Sequence, residues 1–299
     1  GGGGTRGSTG GAGGFGGGGG AASQVGSTGG AGGFGGGGGT STSVAGAGGF
    51  GGGNGVSGDL SGGGGAGMGG AAFVQEGGNL TLAGPLTING NTVTGGTGVN
   101  NGSAFGAGLF LQGNGTVTFA PGTGQSQTVS DVIADQTGSG GTGGNAGSYG
   151  VVKEGAGTTT LSALNTYSGG TTINAGTLAL SGAGDISASS GVTVGGGATF
   201  QVGDGVFAEI ASLAGSGAVA IGSTDETTLL LLTGTTASPA TVFSGTFAGP
   251  GSLELDDAAN LTLSGAGIDH GTIGGDLILC NCSMGPLRLS AKLRFRMRN

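Results

Sequence analysis

Residues 150–180 read GVVKEGAGTTTLSALNTYSGGTTINAGTLAL, and this stretch decides the fold. It contains short runs rich in Thr, Val, Leu and Ile that alternate with a period of two residues, separated by Gly, Asn or Ser. Such alternation is typical of strands that have one buried face. The same texture holds from about residue 71 onward, without the i, i+3, i+4 spacing of an amphipathic helix. The body of the chain is therefore predicted to be all-β.

Repetition of one strand motif favours a β-solenoid over a sandwich or a barrel. Asn79-Leu80-Thr81-Leu82 recurs letter for letter at residues 260–263, with Thr158-Thr159-Thr160-Leu161 between them. A Thr-Ile step follows each copy, at Thr87-Ile88, Thr172-Ile173 and Thr272-Ile273. Similar strand-turn units along one chain bury their apolar side chains against neighbouring rungs. With rungs of roughly 20–25 residues, residues 71–279 supply about nine rungs.

The stretch at 150–180 closely resembles the autotransporter-associated β-strand repeat, found in passenger domains of bacterial type V secreted proteins. It departs from that family at Thr159, where an aliphatic residue is usual, and at Ala163-Leu164, where Gly-Ala is common. Residues 252–279 resemble a weaker copy that retains Leu261, Leu263 and Ser264-Gly265-Ala266. The matching elements of the better copy are Val152-Lys153, Gly155-Ala156-Gly157, Thr160-Leu161-Ser162, Asn165-Thr166-Tyr167, Gly169-Gly170-Thr171-Thr172 and Asn174-Ala175-Gly176-Thr177-Leu178.

The resemblance implies a right-handed parallel β-helix, displayed on the surface of a Gram-negative bacterium or secreted from it. It also implies a partner, an outer-membrane translocator β-barrel, which we expect to lie outside these 299 residues. We expect Val152, Leu161, Ile173, Leu178 and Leu180 to form the buried ladder, and Lys153 with Glu154 to cap or flank a rung. The residues expected to build the repeat are Val152, Lys153, Gly155, Gly157, Thr160, Leu161, Tyr167, Gly169, Gly170, Ile173, Gly176, Leu178 and Leu180.

The N-terminal segment, residues 1–70, is a glycine-rich low-complexity repeat. Of the 86 glycines in the chain, 39 lie there, and GSTGGAGGFGGGGG occurs at residues 7–20 and again at residues 26–39. A degenerate third copy spans residues 45–55. Ordering glycine costs more backbone entropy than ordering any other residue, so we expect this segment to be flexible or loosely stacked. Collagen is excluded by the five prolines and the lack of a strict Gly-x-y period.

Residues 280–299 form an atypical basic tail. Five of the seven basic residues lie in its last twelve positions, whereas residues 1–279 carry 2 basic and 15 acidic residues. One interpretation is a reading-frame change or truncation in the source sequence, and the other is a basic tail that binds nucleic acid or lipid. Short basic runs are usually solvated, so we expect no nucleic-acid partner. Cys280 and Cys282 are too few for a zinc site and poorly spaced for a mutual disulfide.

Candidate catalytic groups are few. The single histidine, His270, stands beside Asp269, and no serine has glycine at both −2 and +2, as the hydrolase nucleophile elbow requires. Glu254 and Asp256 share one face of a predicted strand, with Asp257 on the other face, and Asp225-Glu226 lie in a turn-like stretch. Glycosidases need two carboxylates across a bound sugar, and no aromatic or basic residues accompany these. We interpret them as solvated and expect no catalytic residue, cofactor or metal site.

The sequence therefore predicts a non-catalytic β-helical passenger segment, whose repeats support export and surface display and whose surface adheres to host or surface glycans or proteins. The alternatives are a β-helical hydrolase or lyase that acts on polysaccharide, and a glycine-rich wall or matrix protein. Acidic side chains converging in one groove would favour the enzyme. No transmembrane helix is predicted, since the longest aliphatic run, Leu229–Leu232, is far shorter than the roughly 20 residues that a membrane span needs.

Overall fold

The computed structural model describes residues 9–58, 61–225, 227–234, 241–259, 261–264 and 277–279. These residues form strands, turns and one 3-10 helix, Gly143–Asn145. The strands, numbered along the chain, are β1 (Gly67–Met68), β2 (Ala72–Val74), β3 (Leu80–Ala83), β4 (Leu86–Ile88), β5 (Ala104–Phe105), β6 (Leu109–Leu111), β7 (Gly115–Ala120), β8 (Ser126–Val129), β9 (Ile133–Asp135), β10 (Tyr149–Lys153), β11 (Thr158–Leu161), β12 (Thr171–Ile173), β13 (Thr177–Leu180), β14 (Val192–Val194), β15 (Thr199–Val202), β16 (Phe207–Ile210), β17 (Leu213–Gly215), β18 (Ala218–Ile221), β19 (Leu229–Gly234), β20 (Thr241–Phe243), β21 (Thr246–Ala248), β22 (Ser252–Ala258), β23 (Leu261–Leu263) and β24 (Leu277–Leu279).

The described residues divide into two compact units. The first, which we call the glycine unit, contains those of Gly1–Phe73 together with Asn91–Phe110 and Gly141–Ala146. The second, which we call the solenoid unit, contains Val74–Gly90, Leu111–Gly140 and the described residues from Gly147 onward. The predicted boundary at residue 71 lies close to the one at Phe73, but two later segments also belong to the glycine unit.

The solenoid unit is a parallel β-helix with three faces. Its first face is an eight-stranded sheet in the order β23-β20-β17-β14-β12-β10-β7-β3, and its second is a seven-stranded sheet in the order β21-β18-β15-β13-β11-β8-β4. The third face contains a four-stranded sheet in the order β16-β19-β22-β24. Successive strands pass from one face to another along the chain, and the strand pairs within these sheets are parallel. The all-β parallel solenoid predicted from the sequence is confirmed.

Coil length is regular in the middle of this unit. Val151 pairs with Thr171, Thr171 with Val192 and Val192 with Leu213, so each of these coils takes 20 or 21 residues. Two earlier coils are longer, since Leu80 pairs with Val117 and Val117 with Val151, and Asn91–Phe110 and Gly141–Ala146 within them belong to the glycine unit. Among the described residues the first face has eight strands, compared with the roughly nine rungs estimated from the sequence.

The core of the solenoid unit follows from strand alternation. In β11, Thr159 and Leu161 are buried while Thr158 and Thr160 are partly exposed, and β15 and β18 show the same pattern. Parallel register then stacks like residues above one another, as where Leu161 pairs with Leu180. Because successive side chains of a strand point to opposite sides, one set fills the core and the other faces outward.

The glycine unit contains three stacked hairpins, which we call hairpin 1 (residues 9–22), hairpin 2 (residues 28–40) and hairpin 3 (residues 44–55). Within each hairpin the two arms are hydrogen-bonded, as where Gly20 N–H donates to the Gly11 carbonyl at 2.7 Å. Between hairpins the donors recur every third residue. In hairpin 1 they are the N–H groups of Gly10, Gly13, Gly16, Gly19 and Ala22, which donate to hairpin 2 at 2.8–3.0 Å.

A period of three residues is that of the polyproline II helix, which has no internal hydrogen bonds and leaves its backbone groups free for neighbours. Glycine is required because the backbones touch. A Cβ atom at Gly33 would lie 1.8 Å from the Gly14 carbonyl oxygen, and one at Gly49 would lie 1.7 Å from the Gly33 carbonyl oxygen. Where a flexible or loosely stacked segment was expected, the described residues form a regular hydrogen-bonded stack.

Phenylalanines at the hairpin turns form an aromatic cluster in the glycine unit. The rings of Phe15 and Phe34 stack with centroids 5.2 Å apart, and those of Phe34 and Phe50 stack at the same distance. Phe73 and Phe110 pack against this stack. These rings supply most of the large apolar surface in a unit that is otherwise glycine backbone.

Candidate functional site: the repeat at residues 151–180

The repeat spans parts of two successive internal coils of the solenoid unit. Its strands β10 and β12 lie on the first face, and β11 and β13 lie on the second. Val151 pairs with Val117 on one side and with Thr171 on the other, so strand β10 is hydrogen-bonded along both edges. Strand β12 pairs in turn with β14, so the stretch that carries the family resemblance is hydrogen-bonded to neighbouring coils on both sides.

Six of the residues expected to build the repeat are fully buried, and two lie on its outer surface. Val152 and Thr160 face outward and are half-buried. The expectation that Val152 belongs to the buried ladder was wrong, because alternation in β10 places Val151 in the core instead. The fully buried six are Lys153, Leu161, Tyr167, Ile173, Leu178 and Leu180.

The glycines of the repeat lie at its corners. Gly155 and Gly176 have positive φ angles of 69° and 65°, which favour glycine over residues with a side chain. At Gly157 and Gly169 a Cβ atom would lie 2.4 Å from backbone atoms of the preceding coil, whereas at Gly170 the nearest neighbour is 3.6 Å away. Close backbone approach therefore explains four of these five glycines.

Lys153 is a buried cation clamped by the backbone. Its side chain stacks between Phe119 and Ile173, with which it pairs in register. Its Nζ atom donates to the carbonyl oxygens of Glu154 at 2.6 Å, of Gly155 at 2.8 Å and of Ala175 at 3.0 Å. Burial lowers the pKa of this ammonium group, and the nearby Glu154 carboxylate opposes that shift. The ammonium group thus bonds to the corner between β10 and β11 and, through Ala175, to the corner between β12 and β13 of the next coil.

Tyr167 begins a chain of buried hydroxyl groups. Its OH lies 2.8 Å from Thr171 Oγ1, which lies 3.0 Å from Ser189 Oγ. Ser189 Oγ in turn donates to the Gly169 carbonyl at 2.7 Å. Burial strongly raises the pKa of the Tyr167 phenol, so the group is neutral throughout the physiological range. This chain ties the repeat coil to the next coil from inside.

Asp135, in β9 of an earlier coil, is a buried carboxylate that the sequence analysis missed. It accepts hydrogen bonds from Gly138 N–H at 2.7 Å, from Tyr149 N–H at 3.0 Å, and from the Ser168 N–H and hydroxyl at 2.6 and 2.8 Å. Backbone donors satisfy most of its lone pairs. Asp135 directly follows the apolar residues Val132, Ile133 and Ala134. In a chain with so few charges, an acidic residue at the end of an apolar run could have been singled out as a candidate for burial.

The departure from the family pattern at Thr159 has a structural explanation. Thr159 is buried, and its hydroxyl lies 3.0 Å from Oε1 of Gln127 in the preceding coil. Gln127 is also buried, and its Nε2 atom donates to the carbonyls of Leu82 and Gly84 at 2.8 Å each. The threonine hydroxyl therefore donates a hydrogen bond to the buried amide oxygen of Gln127. An aliphatic residue at this position would leave that oxygen without this donor.

The outward faces around the repeat carry rows of uncharged, β-branched or small side chains. On the second face, Ser126 pairs with Thr158, Thr158 with Thr177, and Thr177 with Thr199. On the first face, a parallel row contains Thr118, Val152, Thr172 and Thr193. Neighbouring strands lie about 4.8 Å apart, so each row is a regular ladder of methyl and hydroxyl groups.

The acidic candidates lie outside the repeat. Glu254 is half-buried on the outward side of β22, and Asp256 on the same side is exposed. In register, Leu231 separates Glu254 from Glu209 on that face. Asp225 accepts hydrogen bonds from the N–H and hydroxyl of Thr227, which lower its pKa. His270, Asp269, Glu226, the two cysteines, the basic tail and the side chain of Asp257 lie outside the described residues.

Within the ranges that the structure describes, we find no group of three or more His, Cys, Asp or Glu side chains placed to hold a metal ion. In those same ranges, no helix has the length and apolar character needed to cross a membrane.

Comparison with known protein families identifies the repeat. Residues 151–180 match the family described as passenger-associated-transport-repeat. No curated protein and no solved structure matches the chain. The chain therefore carries an autotransporter passenger repeat at the position predicted from its sequence, and that repeat implies a location at the cell surface or outside the cell.

Proposed function

We propose that this chain, which carries an autotransporter passenger repeat, is a non-catalytic passenger segment displayed on or released from a Gram-negative cell, where its solenoid faces mediate adhesion. The observation that carries the proposal is the match of residues 151–180 to the passenger-associated-transport-repeat. In the structure those residues lie in two successive internal coils, which pair with β7 on one side and with β14 on the other.

The polar groups of the repeat support a structural role. Lys153 directs its ammonium group to three backbone carbonyls, and the Tyr167 hydroxyl bonds within the core. These side chains are used in holding neighbouring coils together. Each new coil finds its hydrogen-bonding edge on the coil before it, so folding proceeds by addition along the axis. Folding of this kind outside an export pore opposes return of the chain.

Adhesion is assigned to the uncharged rows on the outward faces. Threonine and serine ladders such as Ser126, Thr158, Thr177 and Thr199 present hydroxyl and methyl groups at a regular spacing. Surfaces of this chemistry suit extended, uncharged polymers, of which glycans are the principal class at cell surfaces. The translocator β-barrel is the second partner that the proposal requires.

A display experiment tests the proposal. The full chain is fused between a signal peptide and the translocator barrel of an autotransporter, and surface exposure is measured by antibody labelling and by protease release. We expect display of the native sequence, and a display at least about tenfold lower for Leu161→Asp, because a buried unpaired carboxylate breaks a central coil. Thr160→Asp is the matched control, since residue 160 faces outward on the same strand.

The displayed cells also report on adhesion. Cells carrying the native chain are expected to bind immobilised glycans or host-cell surface proteins, and Thr158→Lys with Thr177→Lys is expected to reduce that binding without changing display. Equal display of the Leu161→Asp and native chains would contradict the passenger proposal. Unchanged adhesion by the double lysine variant would contradict only the assignment to the threonine rows.

A further inference from the structure

The outward side of the second face carries hydroxyl groups that repeat in two directions. Strands β8, β11, β13 and β15 each present two outward residues at alternate positions, and parallel register arranges these residues in two rows across the strands. Row A contains Ser126, Thr158, Thr177 and Thr199, and row B contains Thr128, Thr160, Ala179 and Gln201. Successive residues of a row lie about 4.8 Å apart, and the two rows lie about 6.7 Å apart along the strands. We call the serine and the five threonines of these rows the threonine array.

The side chains of the array are held in place from the core side. Thr159, Leu178 and Phe200, which separate the two rows on their strands, are fully buried. Strand β11 is paired along both edges, with β8 and with β13. Threonine is branched at Cβ, so its χ1 angle is restricted. The array is therefore preorganised, and little side-chain entropy is lost when a ligand binds to it.

The hydroxyl groups of the array are not used inside the protein. Thr159, on the inward side of β11, donates its hydroxyl to Gln127 at 3.0 Å. Among the described residues, by contrast, no hydrogen bond within the chain involves a hydroxyl group of the array. The outward positions of these four strands are Ser, Thr, Ala and Gln, none of which is charged or aromatic. The array thus presents free hydroxyl groups beside methyl groups, at fixed spacings.

Regularity in two directions restricts the class of ligand. A dissolved sugar contacts only a few of these groups, and an extended glycan chain repeats along one direction and follows one row. A crystal surface repeats in two directions and contacts the whole array at once. Ice is such a solid, its molecules both donate and accept hydrogen bonds, and its oxygen atoms repeat on the same scale as the array. Sugar rings, in addition, pack well against aromatic side chains, which these rows lack.

We propose that the threonine array of the second face binds the surface of ice. Its hydroxyl groups hydrogen-bond to water molecules of the crystal surface, and its methyl groups fill the spaces between those molecules. The lack of charge suits this contact, because an ammonium or carboxylate group would have to lose its hydration shell there. Ice binding goes beyond the display and adhesion proposed above, and it does not depend on a translocator.

Partition into growing ice tests the inference. Ice is grown slowly from a stirred solution of the full chain, and the protein concentrations in the ice and in the liquid are compared, since growing ice excludes solutes that do not bind it. We expect the native chain to enter the ice. Thr160→Lys is expected to enter it at least about tenfold less, because its ammonium group has to be desolvated within the array. Thr193→Lys, the same change at an exposed outward position of the first face, is the matched control and retains native partition.

A second variant keeps the test independent of the introduced charge. Thr158→Ser combined with Thr177→Ser retains both hydroxyl groups and removes two outward methyl groups. We expect its partition into ice to be at least about fivefold lower than that of the native chain, since less apolar surface leaves water on binding. Circular dichroism and denaturant titration check that each variant is folded.

Exclusion of the native chain from ice would overturn the inference. Equal partition of the native chain and the folded Thr160→Lys variant would also overturn it, as would equal partition of the native chain and the double serine variant. If a chain excluded from ice is retained on microcrystalline cellulose, the array belongs to the adhesion proposed above. Surface display is measured separately, so failure of ice binding leaves the proposed passenger function in place.

Discussion

Lys153 and Asp135, two buried charged side chains of the solenoid unit, are hydrogen-bonded mainly by the backbone. Lys153 donates to three carbonyl oxygens, and Asp135 accepts from three N–H groups and one hydroxyl. At corners the ladder of the parallel sheet ends, which leaves carbonyls and N–H groups that need partners. The Lys153 ammonium group can donate to several of these carbonyls at once, and the Asp135 carboxylate can accept from several of these N–H groups at once.

At Lys153 this predicts a loss of stability when the ammonium group is removed. Lys153→Met keeps the apolar stem between Phe119 and Ile173 but leaves three carbonyls without this donor. We expect a decrease of about 1–3 kcal/mol in the unfolding free energy, measured by denaturant titration followed by circular dichroism. Glu154→Gln, which keeps the backbone carbonyl, is the control and should change stability by less than about 0.5 kcal/mol.

The difference in unfolding free energy between the native chain and Lys153→Met depends on pH, and the direction of that dependence can be predicted. The pKa of Lys153 is lowered in the folded state from its ordinary value of 10.5, so the unfolded chain binds more protons between the two values. The stability of the native chain relative to Lys153→Met is therefore expected to rise as pH increases through that window. A relative stability that falls with pH in the window would contradict the burial of this group.

At the scale of a strand, β10 directs the side chains of its two adjacent valines to opposite faces. Val151 is fully buried, whereas Val152 lies half-buried in an outward row next to Thr118 and Thr172. Val→Thr keeps the shape and adds a hydroxyl. We expect Val151→Thr to lower the unfolding free energy by about 1–3 kcal/mol, because the hydroxyl is buried in an apolar site. Val152→Thr should change it by less than about 0.5 kcal/mol.

A larger effect of Val152→Thr than of Val151→Thr would mean that β10 is displaced by one residue, since a slip of one residue exchanges the faces of a strand, and equal effects would contradict the burial difference between the two valines. Denaturant titrations of both variants under one set of conditions distinguish the cases, and each variant serves as the control for the other.

These elements also indicate how far the sequence predicts the structure. Alternation and repetition were sufficient for the parallel solenoid, and the family motif located the repeat at 151–180. Val152 was misplaced because Tyr149–Lys153 contains two adjacent valines, and only the pairing of Lys153 with Ile173 selects the inward set. Asp135 was missed because its donors, Tyr149 and Ser168, come from different coils. The stacked hairpins were missed because their order depends on backbone contacts, which side-chain periodicity does not report.

At the scale of the whole molecule, the two units use opposite chemistry. The solenoid unit is held by apolar side chains stacked in register, as in the pairs of Leu161 with Leu180 and of Phe200 with Val219. The glycine unit is held largely by backbone hydrogen bonds between hairpins, with phenylalanines at the turns. A single added methyl group is therefore harmless on the surface of either unit but is not tolerated between glycine backbones.

This contrast predicts a change that affects one unit alone. Gly33→Ala places a Cβ where the Gly14 carbonyl oxygen would be 1.8 Å away, so hairpins 1 and 2 have to separate. Hydrogen exchange measured by mass spectrometry should then show at least about tenfold faster exchange in residues 9–58. Protection of the central coils, residues 149–221, should stay unchanged, because their ladder pairs only with neighbouring coils. Gly14→Ala, the same change on the open side of hairpin 1, is the control that keeps native protection in both units. Unaltered exchange in residues 9–58 of Gly33→Ala would contradict the close stacking of the hairpins.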